Sequence, residues 1–218
     1  MDMFRNEQIH LLRKIPDTYL GAEGTYMGTI KGCVDFFTHL TNLKSRNILL
    51  DELQLSEKIL NTTSIMLNIN TLLEVERVFD QFNLSKTDMA NLAFYLNRTN
   101  PKRMNVINSV KDFKTDFATV AHMCDIANKH YDKNFTYSIK LDGDRFLVEG
   151  IGNEQVHDEL KSNVLTGDML AVFRANTIAD VTTDIIGRPM KLVDVINDCS
   201  RSRQIVQYVF KESRPLLQ

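Results

Sequence analysis

Residues 108–131 read NSVKDFKTDFATVAHMCDIANKHY. Val110, Phe113, Phe117, Val120, Cys124 and Ala127 recur in this stretch at steps of three and four, the spacing of a single apolar seam on a helix. Read as one helix from Asn108 to Tyr131, it spans roughly 36 Å at 1.5 Å per residue and makes the central member of an N-terminal bundle. The alternative reading is a coiled-coil dimer seam. Cys124 and Ala127 at seam positions argue against it, since such seams favour Leu and Ile.

Working outward, the upstream chain repeats the helical period. Met27, Ile30, Val34, Phe37, Leu40 and Leu43 mark a helix from Thr25 to about Arg46, and Leu72, Val75, Val78, Phe79 and Phe82 mark one over 71–82. Short helices are expected over 5–15 and 51–60, while 61–70 alternates like a strand. Ser85-Lys86-Thr87-Asp88 has the form of an N-terminal cap for a helix through Asn97, and Asn100-Pro101 breaks it. Downstream the period changes. Phe135, Tyr137, Ile139 and Leu141 alternate with polar residues, Asp142-Gly143-Asp144 turns the chain, and Arg145 to Ile151 follows. That is a β-hairpin with an Asp-Gly turn. Helical patterns return over 153–163, 168–186, 190–199 and 201–212, with Gly187-Arg188-Pro189 between the second and third.

The fold expected from these readings is mainly α: a helical bundle over 1–134, a hairpin over 135–152 and a smaller, mainly helical region over 153–218. Composition agrees. The chain has 218 residues, 43% hydrophobic and 25% charged, with only 9 Gly and 4 Pro and a net charge of −2. These figures exclude collagen-like, mucin-like and wholly disordered chains. The charge balance excludes a protein that coats nucleic acid along its length. No apolar run approaches the roughly 18 residues that span a bilayer, so no membrane partner is expected. The N-terminus interrupts its apolar residues with Arg5, Glu7, His10 and Arg13, unlike a signal peptide. The three cysteines, Cys33, Cys124 and Cys199, match no zinc or redox spacing and read as reduced thiols. The expected location is the cytoplasm, or a host cytoplasm or virion if the chain is viral. Abundant Asn, Lys and Ile resemble the output of an AT-rich genome, including phage and viral ones.

Few motifs carry chemistry. Lys140-Leu-Asp142-Gly143-Asp144-Arg145 resembles the nucleotidyl-lysine motif of ATP-dependent ligases and capping enzymes. That resemblance implies Lys140 as a nucleophile on a nucleotide α-phosphate and Arg145 as a nucleotide contact. It covers six residues, and the family's further motifs are absent. Gly21-Ala-Glu-Gly24 resembles the Gly-x-x-Gly loop of KH domains but lacks the surrounding strand and a basic neighbour. His122, Cys124 and His130 fall on the long helix at spacings that do not share a face, and His10, His39 and His157 lack ligands at metal spacing. No metal site and no cofactor are expected.

Two basic clusters and one apolar segment remain. Arg98, Lys102, Arg103, Lys111 and Lys114 surround Pro101, and Arg201 and Arg203 open the last segment; either group could contact phosphates. Ile205, Val206, Val209 and Phe210 make the chain end strongly apolar, which fits docking of a last helix into the core or its insertion into a partner's groove with these residues as anchors. The function expected from sequence is therefore a non-enzymatic interaction or assembly protein, of phage or viral structural type, bound to a protein partner or to itself. An accessory nucleic-acid binder is the second reading and a nucleotidyltransferase at Lys140 the third.

Overall fold

The computed structural model describes residues 14–20, 24–62, 64–110, 113–143, 145–154, 156, 158, 164–198 and 203–210. The chain forms two compact units, Met1–Asn83 and Leu84–Gln218. The boundary expected at the hairpin, between 134 and 135, falls inside the second unit. The expected helix over 5–15 lies mostly outside the described residues.

The first unit holds helices α1 (Met27–Leu40), α2 (Leu43–Glu52), α3 (Glu57–Leu60) and α4 (Ile69–Gln81). Two short strands, β1 (Thr25–Tyr26) and β2 (Met66–Leu67), pair antiparallel. Most of the seam read from sequence is the buried face of α1: Met27, Ile30, Val34 and Phe37 are all fully buried, while Leu40 and Leu43, at and beyond its end, are exposed. The helix ends sooner than expected, because Asn42 starts a new one by accepting a hydrogen bond from the Ser45 amide at 3.0 Å. Phe37 stacks on Phe79 of α4 at 5.2 Å between ring centroids and meets Phe82 edge-on at 4.9 Å, tying α1 to α4.

One ion-pair group pins α2 to its neighbours. Arg46 donates from Nη1 to Asp35 Oδ1 at 2.8 Å and from Nε and Nη2 to the two Glu57 oxygens at 2.7 and 3.0 Å. Lys31 adds a 2.8 Å contact to Asp35. Burial opposes the charge on Asp35, but hydrogen bonds from Lys31 and Arg46 overcome it and hold the carboxyl below its ordinary 3.8. The hydrogen bond from Arg46 holds Glu57 below its ordinary 4.5. Depressed carboxyls contribute stability above their unfolded values and lose it as pH falls through the folded ones. Acid titration should therefore loosen this corner only below the ordinary carboxylate range. Arg46→Ala should move both midpoints upward, read by carbon NMR of the two carboxyls; unmoved midpoints would show that Arg46 does not set them.

The second unit holds α5 (Lys86–Thr99), α6 (Pro101–Ser109), α7 (Asp116–Ile126), a π turn (Ala127–Tyr131) and the long helix α8 (Val164–Ile186). Ser85 and Asp88 form the capping box expected at the start of α5. A four-stranded antiparallel sheet completes the unit: β3 (Phe135–Asp142), β4 (Arg145–Gly152), β5 (Met190–Asp198) and β6 (Arg203–Phe210), in the order β3-β4-β6-β5. The expected hairpin is β3–β4, turning at Gly143 with φ +62°. Val106, Val120, Met123, Cys124, Phe146, Val148, Ala175, Ala179, Val181 and Ile186 form the core of the unit.

The molecule is mainly helical, as expected, but two local readings change. Residues 108–131 are not one helix. α6 ends at Ser109, Val110 turns extended, and Thr115 caps α7 by accepting from the Ala118 amide at 3.2 Å. The apolar seam survives in part: Val110, Phe117, Val120 and Cys124 reach the same core, while Phe113 is exposed. The period records which residues face inward and is blind to the cap that interrupts the backbone. The segments 190–199 and 201–212, read as helices, form β5 and β6 instead. Their Val, Ile, Tyr and Phe content favours a pleated strand, and short apolar runs fit either period. Ile205, Val206, Val209 and Phe210 thus sit on β6, an inner strand with β4 on one side and β5 on the other. The groove-docking helix expected there does not exist.

Candidate functional site

α7 has two contrasting faces. Asp116, Thr119, Val120, Met123 and Cys124 are buried, while Ala118, Ala121 and His122 are half-buried and Asp125 is exposed. His122 therefore stands off the core. Its ring meets Phe113 at 5.0 Å and 66°, and no hydrogen bond to its ring nitrogens is formed among the described residues.

The other donors are less suited to hold a metal. His39 and His130 are exposed. Cys33 and Cys124 are buried free thiols. Burial, with a smaller contribution from the Asp125 charge, pushes the Cys124 thiol up to about 12, so the thiolate that binds metal is disfavoured. A thiol reagent at pH 8 should leave Cys124 unmodified in the native chain and reach it on denaturation, as peptide mapping would show; labelling at the rate of a free thiol would contradict this burial. Among the described residues no group of three or more His, Cys, Asp or Glu side chains is placed to share an ion. What α7 offers is a single imidazole, the ligand set of a metal that brings its other ligands with it.

Charged contacts mark both ends of the α7 segment. At its start Asp116, 7% exposed, accepts a hydrogen bond from Arg188. Beyond its π turn Asp132 accepts from Arg174, from the Tyr137 hydroxyl at 2.6 Å and from the amides of Asn134 and Phe135. The Arg174 guanidinium lies 3.7 Å above the Phe135 ring centroid and 5.3 Å from that of Tyr137. Asn128, within the π turn, donates to the Tyr137 carbonyl at 2.9 Å and accepts from its amide at 2.7 Å, so the turn extends the ladder of β3. Gly150, opposite Tyr137, is needed for this arrangement: a Cβ there would come within 3.1 Å of Tyr137 Cε1.

The residues singled out from sequence do not converge. Arg98 donates to Asp184 at 2.8 Å, lies 3.6 Å from Asp180 and stacks over Phe94. Arg103 stacks over Phe173. Lys102 and Lys114 are exposed. Lys111 and Arg201 lie outside the described residues, and Arg203 opens β6. Lys140 is exposed on β3, at the sheet edge and opposite Leu147. It lacks the burial that activates a lysine nucleophile. His122 was legible as a histidine and missed as a site. The seam places it off the core face, since it lies two residues from both Val120 and Cys124.

No family model matches the sequence, and no curated protein matches it. Solved structures do match in fold. The Fe(II) unliganded H-NOX protein from K. algicida superposes with a TM-score of 0.60 at 8% identity, covering 89% of this chain and 100% of that one. A structure from work on heme distortion in the H-NOX family gives 0.59 at 8% identity, covering 89% and 99%. A Cs H-NOX mutant carrying 4-cyano-L-phenylalanine gives 0.57 at 9% identity, covering 87% and 98%. At such identities the likeness is one of fold. It corrects the expectation of a phage or viral interaction and assembly protein, along with its nucleic-acid and nucleotidyltransferase alternatives, because the matched structures are H-NOX proteins described by their heme and iron.

Proposed function

We propose that this chain is a heme-binding sensor domain in which His122 supplies the protein ligand to the iron. The single observation that carries the reading is the His122 imidazole: half-buried on a capped helix, beside an aromatic ring, with its nitrogens outside the hydrogen-bond network. Imidazole is a common protein ligand of heme iron. The donor chemistry of the chain fits the group. Heme brings four ring nitrogens, so one side chain suffices where a bare metal would need several. Heme held by His122 would supply an iron able to bind a small gaseous ligand.

The residues around His122 have roles that follow from their own contacts. Phe113 limits the rotation of the imidazole by its edge contact. Val120, Met123 and Cys124 anchor the opposite face of α7 in the core, so the imidazole is presented from a fixed backbone. No helix among the described residues is long and apolar enough to cross a membrane. The buried free thiols Cys33 and Cys124 suit a reducing compartment, and we place the chain in the cytoplasm.

The test is a titration of the purified chain with hemin, followed by reduction and exposure to carbon monoxide. One equivalent should saturate the chain, and the gas should shift the absorption spectrum of the iron(II) form. Binding without defined stoichiometry, or a spectrum that gas leaves unchanged, would overturn the reading.

A further inference from the structure

The two arginines that engage the ends of the α7 segment both come from α8 and the turn that follows it. Arg174 lies within α8, and Arg188 follows Gly187, whose φ of +72° turns the chain just after the helix. Their partners Asp132 and Asp116 bracket the segment that carries His122. The pairs are matched end to end: the start of α7 meets the end of α8, and the π-turn end of the segment meets the interior of α8. Between them the Thr182 hydroxyl contacts Met123 Sδ at 3.4 Å, which continues the same antiparallel register. Each clamp spans a helix that rises about 1.5 Å per residue, so the two lie on the order of 20 Å apart. A helix held at one end can tilt or slide; a helix held at both ends can do neither without breaking a charge-assisted hydrogen bond.

We propose that Arg174 and Arg188 are positioning residues, a two-point clamp that fixes where the His122 imidazole stands. The inference rests on the heme reading for its consequence, not for its geometry. Neither arginine touches the imidazole; each acts through an aspartate at one end of the segment. The Arg174 guanidinium also lies over the Phe135 ring and near that of Tyr137. A lysine there would keep the charge and lose the planar stack and fork.

Removing Arg174 leaves Asp132 with three donors, the Tyr137 hydroxyl and the amides of Asn134 and Phe135, so Arg174→Gln keeps the turn folded. Arg188→Gln leaves Asp116 in the first turn of α7, where a carboxylate is favoured by the helix dipole. The experiment compares both single variants and the double variant with the unaltered full chain. Without heme, the ring-proton resonances of His122, displaced by the Phe113 ring, should move toward random-coil positions. Amide exchange across 116–131 should quicken about 10-fold in the double variant, with α5 unchanged. With hemin loaded, the heme dissociation rate should rise about 10-fold, the scale on which groups that orient a metal ligand act, and Arg174→Lys should restore only part of it. Unmoved His122 resonances in both single variants would overturn the clamp. So would unchanged heme loss in variants of a chain that binds heme through His122. If the unaltered chain binds no heme, the heme reading fails alone, and the resonance and exchange results still decide the clamp.

Discussion

His122→Ala should weaken heme capture by at least about 100-fold while leaving the fold intact. The magnitude follows from the donor set. Changes to groups that merely orient a metal ligand cost 10- to 100-fold in affinity, and removing the ligand itself exceeds that. The fold should tolerate the change, because His122 is half-buried, lies off the core face of α7 and takes part in no hydrogen bond among the described residues. Alanine is also the strongest helix former. Circular dichroism and the thermal midpoint should therefore match those of the unaltered chain, while hemin titration reports a much larger dissociation constant. An unaltered heme affinity would remove His122 from the site. His39→Ala and His130→Ala, at exposed positions, should leave the affinity unchanged.

Phe37→Ala should be among the most damaging single changes to stability. Phe37 is fully buried, stacked on Phe79 and edge-on to Phe82. Truncating such a ring removes its burial and leaves a cavity, a loss of about 3–5 kcal/mol. Part of it, about 0.5–1.5 kcal/mol, belongs to the aromatic pairing itself. In a chain of this length the first unit should melt on the order of 10 °C lower. Denaturant unfolding followed through resonances of α1 and α4 would measure the loss. A change under about 1 kcal/mol would mean that α1 and α4 are held together by other contacts.

The helical seams were legible because burial needs only spacing. Met27, Ile30, Val34 and Phe37 face inward as their period requires, and the Asp142-Gly143 turn was readable because few dipeptides reverse a chain so tightly. Caps were harder to see. The abundance of asparagine in the chain read as a mark of genome composition, yet it has structural uses. Asn42, Asn68 and Asn100 cap three helices through their side-chain oxygens, and Asn128 pairs with both backbone groups of Tyr137. Thr115 caps α7 in the same way, by one hydrogen bond that the apolar period does not register. β5 and β6 were hidden for a different reason: short runs rich in Val, Ile and Leu fit a strand and a helix alike, and nothing local separates the two. The pairs Arg174–Asp132 and Arg188–Asp116 join residues far apart in sequence, and nothing local announces them.

In the heme reading, the imidazole of residue 122 is the protein ligand of the iron. Substituting His122→Gly and supplying free imidazole tests it directly, since the small molecule can occupy the space left by the side chain. The account predicts that the variant loses the absorption spectrum of the imidazole-ligated iron and that millimolar imidazole restores it. A variant whose spectrum matches that of the unaltered chain before any imidazole is added would contradict the claim.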